Sequence, residues 1–138
     1  MKNESVLLAL QRATHNTLHL LTHELRDLDL TGSEINALGN LAGHAGRTVS
    51  DLGAAIGTRP ATATGILDRL ERRGLIRRAA HPADRRAVLI ELTTDGSKIA
   101  NRVGQAMRAV ERRTLAGISP DMVSATHAVL RALTEAGR

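Results

Sequence analysis

The sequence of 138 residues contains no cysteine and no phenylalanine, tyrosine or tryptophan. Without cysteine, disulfides, thiolate redox sensing and cysteine-ligated zinc are all excluded. Without aromatic side chains, the protein cannot stack single-stranded bases, which argues against nucleic-acid binders of the OB-fold and RRM types. The core must therefore consist of Leu, Ile, Val, Ala and Met, a composition that suits closely packed helices.

Long apolar runs are also missing. No stretch approaches the roughly 18 apolar residues that a membrane-spanning helix needs. The apolar stretch near the N-terminus is too short for a signal peptide and lacks a small-residue cleavage site. We therefore expect a cytoplasmic protein without membrane contact. The length fits one domain, or one domain with an oligomerisation extension.

Arginine dominates the charged residues. Basic residues outnumber acidic ones by 19 to 14, a formal net charge of +5. Only Lys2 and Lys98 are lysines, so 17 of the 19 basic residues are arginines. Arginine contacts phosphate in a two-pronged geometry that lysine cannot match, and a basic balance favours phosphate-bearing partners. A GC-rich genome could explain the preference for arginine, but not the seven arginines between Arg69 and Arg86.

Hydrophobic spacing and capping signals predict a mainly α chain of about six helices with one small β-hairpin. The predicted helices run from about Glu4 to Asp27, from Thr31 to Leu41 or Ala42, from Thr48 or Ser50 to Gly57, from Pro60 to Arg73, from Asp95 to Ala116, and from Ser119 onward. The strands are expected at 75–80 and 87–92, on either side of a loop with two adjacent arginines. Two short helices joined by a tight glycine turn and followed by a basic hairpin predict a winged helix-turn-helix.

Three segments make this pattern specific. They are Asp68-Arg69-Leu70-Glu71-Arg72-Arg73-Gly74-Leu75-Ile76-Arg77-Arg78, Pro82-Ala83-Asp84-Arg85-Arg86 and Ile90-Glu91-Leu92-Thr93-Thr94-Asp95-Gly96. On the basis of these segments, nearly the whole chain resembles the MarR family of bacterial transcription regulators. The resemblance implies a homodimer that binds a pseudo-palindromic operator in double-stranded DNA. It also implies a DNA-binding lobe at 31–94 and a helical dimerisation region formed by 1–30 and 95–138.

The resemblance assigns DNA contacts to two places. The N-terminal part of the fourth helix would enter the major groove, and its residues are Thr58, Arg59, Pro60, Ala61, Thr62 and Thr64. At the wing, Arg86 would reach the minor groove, Asp84 would brace it through a charge-assisted hydrogen bond, and Arg85 would contact the backbone. Arg69, Arg47 and Ser50 are further candidates for phosphate contacts. The alternative for each is a solvated side chain, or, for Thr58, a helix cap.

Helix one carries a stripe of histidines, His15, His19 and His23, at spacings of four residues. Together with Arg12 and His44, the first two could line an effector pocket. All three could instead be metal ligands, although the outer pair lie about 12 Å apart by helix rise, so at most two could share one ion. A polar helix flank, or histidines at a dimer seam, accounts equally for the stripe. We expect no metal and no cofactor beyond a small-molecule effector.

The sequence therefore favours a ligand-responsive, dimeric DNA-binding regulator, and we expect it to repress transcription. Two alternatives stay open: a non-specific architectural DNA-binding protein, and a metal-responsive regulator that uses the helix-one histidines. An enzyme is not expected, because no pattern supplies a nucleophile or a complete metal site. Competition with random DNA separates the first alternative from the favoured function.

Overall fold

The computed structural model describes residues 3–44 and 46–137, which form six α-helices, one short 3₁₀ helix and three strands. The helices are α1 Val6–Glu24, α2 Gly32–Leu41, α3 Val49–Ile56, α4 Pro60–Arg72, α5 Thr94–Thr114 and α6 Pro120–Ala136. The strands are β1 Arg47–Thr48, β2 Ile76–Ala80 and β3 Val88–Leu92. The mainly α architecture with a hairpin wing is confirmed.

The small sheet has one strand more than the sequence predicts. Its order is β1-β3-β2 and both pairs are antiparallel. Ile76 pairs with Leu92 and Ala80 with Val88 in the hairpin, while Arg47 pairs with Ile90. A strand of two residues is too short to show an alternating pattern, so its pairing depends on the fold and not on local sequence.

Capping residues set the helix boundaries much as the sequence predicts. Thr31 and Glu34 form a complete capping box at the start of α2, and the hydroxyl of Ser119 accepts from the main-chain N–H of Met122 at the start of α6 (3.2 Å). Each contact satisfies a donor that the first helical turn leaves unpaired. Gly74 follows α4 with a φ of 72°, the left-handed conformation expected after a helix end.

The core cluster of the winged lobe, which is the segment 31–94 with α5 packed against it, is aliphatic. Its fully buried large side chains come from α2, α3, α4, β3 and α5, so every one of these elements contributes to a single cluster. They are Ile35, Leu38, Leu41, Leu52, Leu67, Leu70, Ile90 and Val103. Leucine and isoleucine therefore supply most of the large side chains of the core, in a sequence that has no aromatic residues.

Helix α1 ends three residues earlier than the predicted boundary at Asp27. After Glu24 the chain passes into the 3₁₀ helix Arg26–Leu28, and Asp29 adopts a left-handed conformation with φ of 50°. Leu25 and Leu30, on either side of this turn, are 2% and 6% exposed. Burying both leucines requires the chain to change direction here, which a continued helix would not allow.

The described residues form two compact units, one ending at Arg108 and one beginning at Ala109. The first contains the winged lobe, α1 and most of α5, and the second contains the end of α5 and α6. The functional division predicted from the sequence, 31–94 against 1–30 and 95–138, stays a prediction. Within the described part of the chain, no helix combines the length and apolarity needed to cross a membrane.

A two-pronged ion pair fixes the turn after α1 to α5. Arg102 donates to both carboxylate oxygens of Asp27, at 2.6 and 3.2 Å. The hydrogen bond from Arg102 lowers the pKa of Asp27 below its ordinary value of 3.8. Because the folded-state pKa is depressed, the pair stabilises the fold above the unfolded pKa, and this stabilisation is lost as pH falls through the folded value.

We expect Asp27→Asn to lower the melting temperature at pH 7 by a small amount, because the pair is partly exposed. The difference from the wild type should start to shrink as the pH falls below about 3.8 and should vanish below the lower pKa that Asp27 has in the folded protein, where the wild-type carboxylate is also uncharged. Melting curves of both proteins between pH 7 and pH 2 measure this. The double variant Asp27→Asn/Arg102→Gln is the control and should melt close to the single variant. A difference that does not change with pH would contradict the assignment.

Candidate nucleic-acid interface

The helix-turn-helix consists of α3, the turn 57–59 and α4. The hydroxyl of Thr48 caps α3 by accepting from the N–H of Asp51 (3.0 Å), and Gly57 ends it in the left-handed conformation. Arg59 occupies the cap position of α4 and Pro60 its first turn, where a missing N–H costs nothing. The sequence therefore starts the second helix sharply and leaves its N-terminus at the surface.

The first turn of α4 is exposed on the side away from the core. Pro60, Ala61 and Thr62 are exposed, and the first buried residue is Ala63 at 2%. The hydroxyl of Thr64 donates to the carbonyl of Pro60 (3.0 Å), so its hydrogen is used within the helix. The exposed side chains are small, which lets the helix backbone approach another surface closely.

The wing projects a polar tip between β2 and β3. Residues 82–86 are all exposed. Asp84 does contact Arg86, but its Oδ1 accepts from the main-chain N–H of Arg86 (2.9 Å) and not from the guanidinium that the sequence analysis proposed. A residue two positions after an aspartate often donates in this way, as an Asx turn. The carboxylate thus shapes the tip and leaves the Arg86 guanidinium unbound.

A single groove joins the two predicted contact regions. Its volume is about 730 Å³, and it lies between α3, the start of α4 and the wing. Five of the predicted site residues line it, and they are Ser50, Thr58, Pro60, Asp84 and Arg86. The fold therefore brings the recognition-helix and wing candidates, more than twenty positions apart in sequence, to one face of the lobe.

Several arginines of the 69–86 cluster are engaged inside the protein. Arg73 donates to the carbonyls of Leu28 (2.8 Å) and Asp29 (2.9 Å) and lies 3.5 Å from the buried carboxylate of Glu34. It fastens the end of α4 to the turn after α1. Arg73 is therefore an internal clamp, a role that no local sequence pattern indicates.

The strand arginines are paired in the same way. Arg77 contacts Glu91 across the hairpin (2.9 Å). Arg78 contacts Asp68 on α4 (2.7 Å) and Glu71 one turn later (3.5 Å). These pairs neutralise the base of the wing, which leaves the positive charge concentrated at its tip.

Four other arginines, in α4, its cap and the wing, are not engaged in this way. Within residues 3–44 and 46–137, no ion pair or hydrogen bond engages the side chain of Arg59, Arg69, Arg85 or Arg86, and all four side chains are exposed. They are the arginines to which the sequence analysis gave DNA contacts in α4 and the wing. An unengaged guanidinium can bind an external phosphate or base edge without first breaking an internal pair.

Arg47 differs from these four arginines because its side chain contacts a histidine. It belongs to β1, it is half-buried, and its Nη2 lies 2.9 Å from Nε2 of His44. Since a guanidinium only donates, the imidazole nitrogen must accept. Nε of Arg47 is buried without a partner among the described residues. Ser50, the other candidate near α3, is exposed in the first turn of that helix.

The predicted effector residues do not share one pocket. Arg12 pairs with Glu4 at the surface of α1. His15 and His19 line a shallow depression on α1, whereas His44 lines a separate cavity with Arg77 and Glu91. Among the described residues no three metal-ligating side chains come together. His23, the third residue of the stripe, lies 3.4 Å from a guanidinium nitrogen of Arg26.

A cavity that the sequence analysis missed lies between α1, α2 and α5. Its volume is about 290 Å³, and none of the residues that line it is charged. They are Thr14, Thr17, Leu18, Leu21, Gly32, Ser33, Ile35, Asn36 and Met107. A Cβ on Gly32 would lie 2.7 Å from a methyl carbon of Leu18, so α1 and α2 approach each other closely at that glycine. The glycine after Thr31 was the only local signal for this packing.

Residues 28–87 match a sequence model of the MarR family. Over 113 residues the chain is 31% identical to the uncharacterized HTH-type transcriptional regulator YfiV of Bacillus subtilis, and the match covers 82% of this chain and 71% of that protein. The chain belongs to the MarR family of transcription regulators. Its family consists of regulators and not of enzymes.

Solved structures support the MarR-family fold. Staphylococcus aureus MepR in its DNA-binding conformation superposes with a TM-score of 0.87 at 23% identity, covering 98% of this chain and all of MepR. MepR bound to DNA gives 0.81 at 23% identity, covering 99% of this chain and all of that one. NadR in complex with 4-hydroxyphenylacetate gives 0.86 at 22% identity, covering 97% and 95%. At this level of identity these likenesses establish the winged-helix fold alone.

Proposed function

We propose that this MarR-family regulator is a homodimeric, ligand-responsive repressor that binds a pseudo-palindromic operator. The N-terminal turn of α4 would lie in the major groove, which is wide enough for a helix. Arg86 would enter the adjacent minor groove, where a narrow A·T-rich stretch concentrates negative potential. The observation that carries the proposal is that one groove brings the start of α4 together with the wing, and that the unengaged Arg86 lies in its lining.

The roles of the individual side chains follow from their positions. Arg59, at the cap of α4, is suited to a guanine edge or a phosphate, and the helix N-terminus itself favours an anion. Ala61 and the Thr62 methyl can contact a thymine methyl. Arg69 and Arg85 are placed for backbone phosphates, which contribute affinity without sequence information. Ser50 and Thr58 line the groove wall and can donate to phosphate.

A second copy of the chain would cover apolar surface that is exposed on α1 and on α6. None of the described residues of α1 is buried, and Val6, Leu7 and Leu8 are 53–59% exposed. In the second unit, Met122 and Val129 of α6 are 58% and 47% exposed. Seven residues apart, these two share one face of the helix. A two-fold dimer would cover such faces and place two recognition helices about 34–36 Å apart.

The uncharged cavity is the proposed effector site. At about 290 Å³ it fits a small ligand held by apolar contacts and a few hydroxyl or amide groups. Ile35 links it to the DNA-binding lobe, because this residue both lines the cavity and belongs to the lobe core. A ligand that binds one arrangement of α1 and α2 better than another would shift the orientation of the lobe. NadR, with a bound small molecule, shows that a protein of this fold accepts one.

Assembly and operator geometry are tested together. DNA selected from a random pool by the purified protein should give a footprint of two half-sites, one helical turn apart. Light scattering should give twice the mass of one chain. Met122→Glu should dissociate the dimer and reduce the footprint, whereas Ser124→Glu, on the opposite side of α6, should not. A monomeric wild type, or a single continuous half-site, would contradict the proposal.

A further inference from the structure

The tip of the wing is organised by main-chain N–H groups that donate to two side chains. The N–H groups of Ala83 (3.0 Å) and Asp84 (3.1 Å) both donate to Nδ1 of His81. The N–H of Arg86 donates to Oδ1 of Asp84 (2.9 Å). A chain of contacts therefore runs from the imidazole of His81 through Asp84 to the residue proposed to enter the minor groove.

These contacts determine the proton arrangement of the imidazole. A main-chain N–H can only donate, so Nδ1 must be the unprotonated, accepting nitrogen. The ring is therefore neutral and carries its proton on Nε2. Pro82 has no N–H, so Ala83 and Asp84 offer the first two donors after the ring, and both are used. The segment His81-Pro82-Ala83-Asp84 thus supplies both the acceptor and the two donors of these bonds.

Burial does not hold the tip in place. Residues 82–86 are exposed, and the hairpin closes behind them through main-chain bonds from His81 to Ala87 (3.4 Å) and from Ala87 to Asp84 (3.2 Å). In water such a loop samples many conformations, and ordering it on binding costs affinity. Side-chain contacts that fix the turn beforehand reduce that cost.

We propose that His81 is a positioning residue for DNA binding: its Nδ1 holds the main chain of Ala83 and Asp84 and so presents Arg86 in its binding orientation. The proposal rests on the role given above to Arg86. His81 acts through Asp84 and Arg86, and its own ring makes no contact with the operator. Its contribution therefore exists only when Arg86 is present.

Two substitutions at this position differ in where they place an acceptor. His81→Asn puts its Oδ1 where Nδ1 now lies, and asparagine commonly accepts from the N–H two residues later. His81→Gln carries its oxygen one bond farther, near the position of Nε2. Against DNA selected from a random pool, His81→Gln should bind about threefold to tenfold more weakly, and His81→Asn within about twofold of the wild type. Melting temperatures should be equal.

Combining each variant with Arg86→Ala separates this proposal from the proposed function. If Arg86→Ala weakens binding and His81→Gln has no additional effect in that background, the positioning role is supported. If His81→Gln binds like the wild type, or weakens the Arg86→Ala protein by the same factor, the role of His81 is overturned while that of the wing stands. If Arg86→Ala itself binds normally, the wing contact fails and the role of His81 fails with it.

The tautomer provides a readout that does not depend on DNA. Long-range ¹H–¹⁵N spectra of the free, ¹⁵N-labelled protein report which nitrogen of a neutral imidazole carries the proton. His81 should show a protonated Nε2 and an unprotonated Nδ1. A neutral ring protonated at Nδ1 would overturn the proposed contact.

Discussion

Arg86→Ala should weaken binding to selected DNA by at least about tenfold. The physical reason is that an exposed, unengaged guanidinium at the wing tip can be desolvated in a narrow groove without losing an internal partner. The dependence of the binding constant on salt should also fall by about one contact per subunit. Titrations at several salt concentrations measure both quantities.

Arg77→Ala is the matched control for that substitution. It removes the same charge from the same hairpin, but Arg77 is already paired with Glu91 at 2.9 Å. The DNA affinity of the Arg77→Ala protein, and the salt dependence of that affinity, should stay close to those of the wild type. If Arg86→Ala leaves both quantities unchanged, the wing makes no contact with DNA. If Arg77→Ala reduces both quantities as much as Arg86→Ala does, the wing acts only through its overall charge.

Gly96→Ala should destabilise the fold by at least about 3 kcal/mol. A Cβ on Gly96 would lie 1.7 Å from the carbonyl oxygen of Leu75 and 2.7 Å from its carbonyl carbon. These are main-chain atoms, and the same oxygen already accepts from the N–H of Thr93 (3.0 Å). Neither group can move without displacing the start of α5 from β2. Urea unfolding of both proteins measures the loss.

Gly65→Ala serves as the control, because it adds the same methyl group to a helical glycine. Its Cβ would meet only an arginine side-chain nitrogen at 3.9 Å. Relief of glycine's backbone entropy should make it neutral or stabilising by up to about 1 kcal/mol. A Gly96→Ala protein that unfolds at the wild-type urea concentration would show that α5 and β2 do not pack as described.

Local chemistry explains why so much of the fold could be predicted from the sequence. Helix ends are set by contacts within four residues, so the sequence pattern that produces them can be recognised directly. Examples are Thr31 with Glu34, Ser119 before Pro120, and Gly74 after α4. The DNA-contact candidates could be proposed from the sequence for the same reason, because the start of α4 and the wing tip are short continuous segments.

The features that sequence analysis missed depend on distant parts of the chain. Arg73 reaches carbonyls 44 and 45 residues away, so nothing near it distinguishes a clamp from a solvated arginine. The uncharged cavity likewise requires α1 to approach α2 at Gly32. The histidine stripe also shows the limit of spacing on one helix, because the fold places His15 and His19 at one depression and His44 at another.

Sequence-specific recognition is the central claim, and competition binding tests it most directly. A labelled operator selected by the protein is bound and then displaced with either unlabelled operator or shuffled DNA of the same length and composition, at one salt concentration. We predict that the shuffled competitor is at least about a thousandfold less effective, as for other specific DNA-binding proteins. Equal displacement by both competitors would contradict the account and identify a non-specific DNA-binding protein.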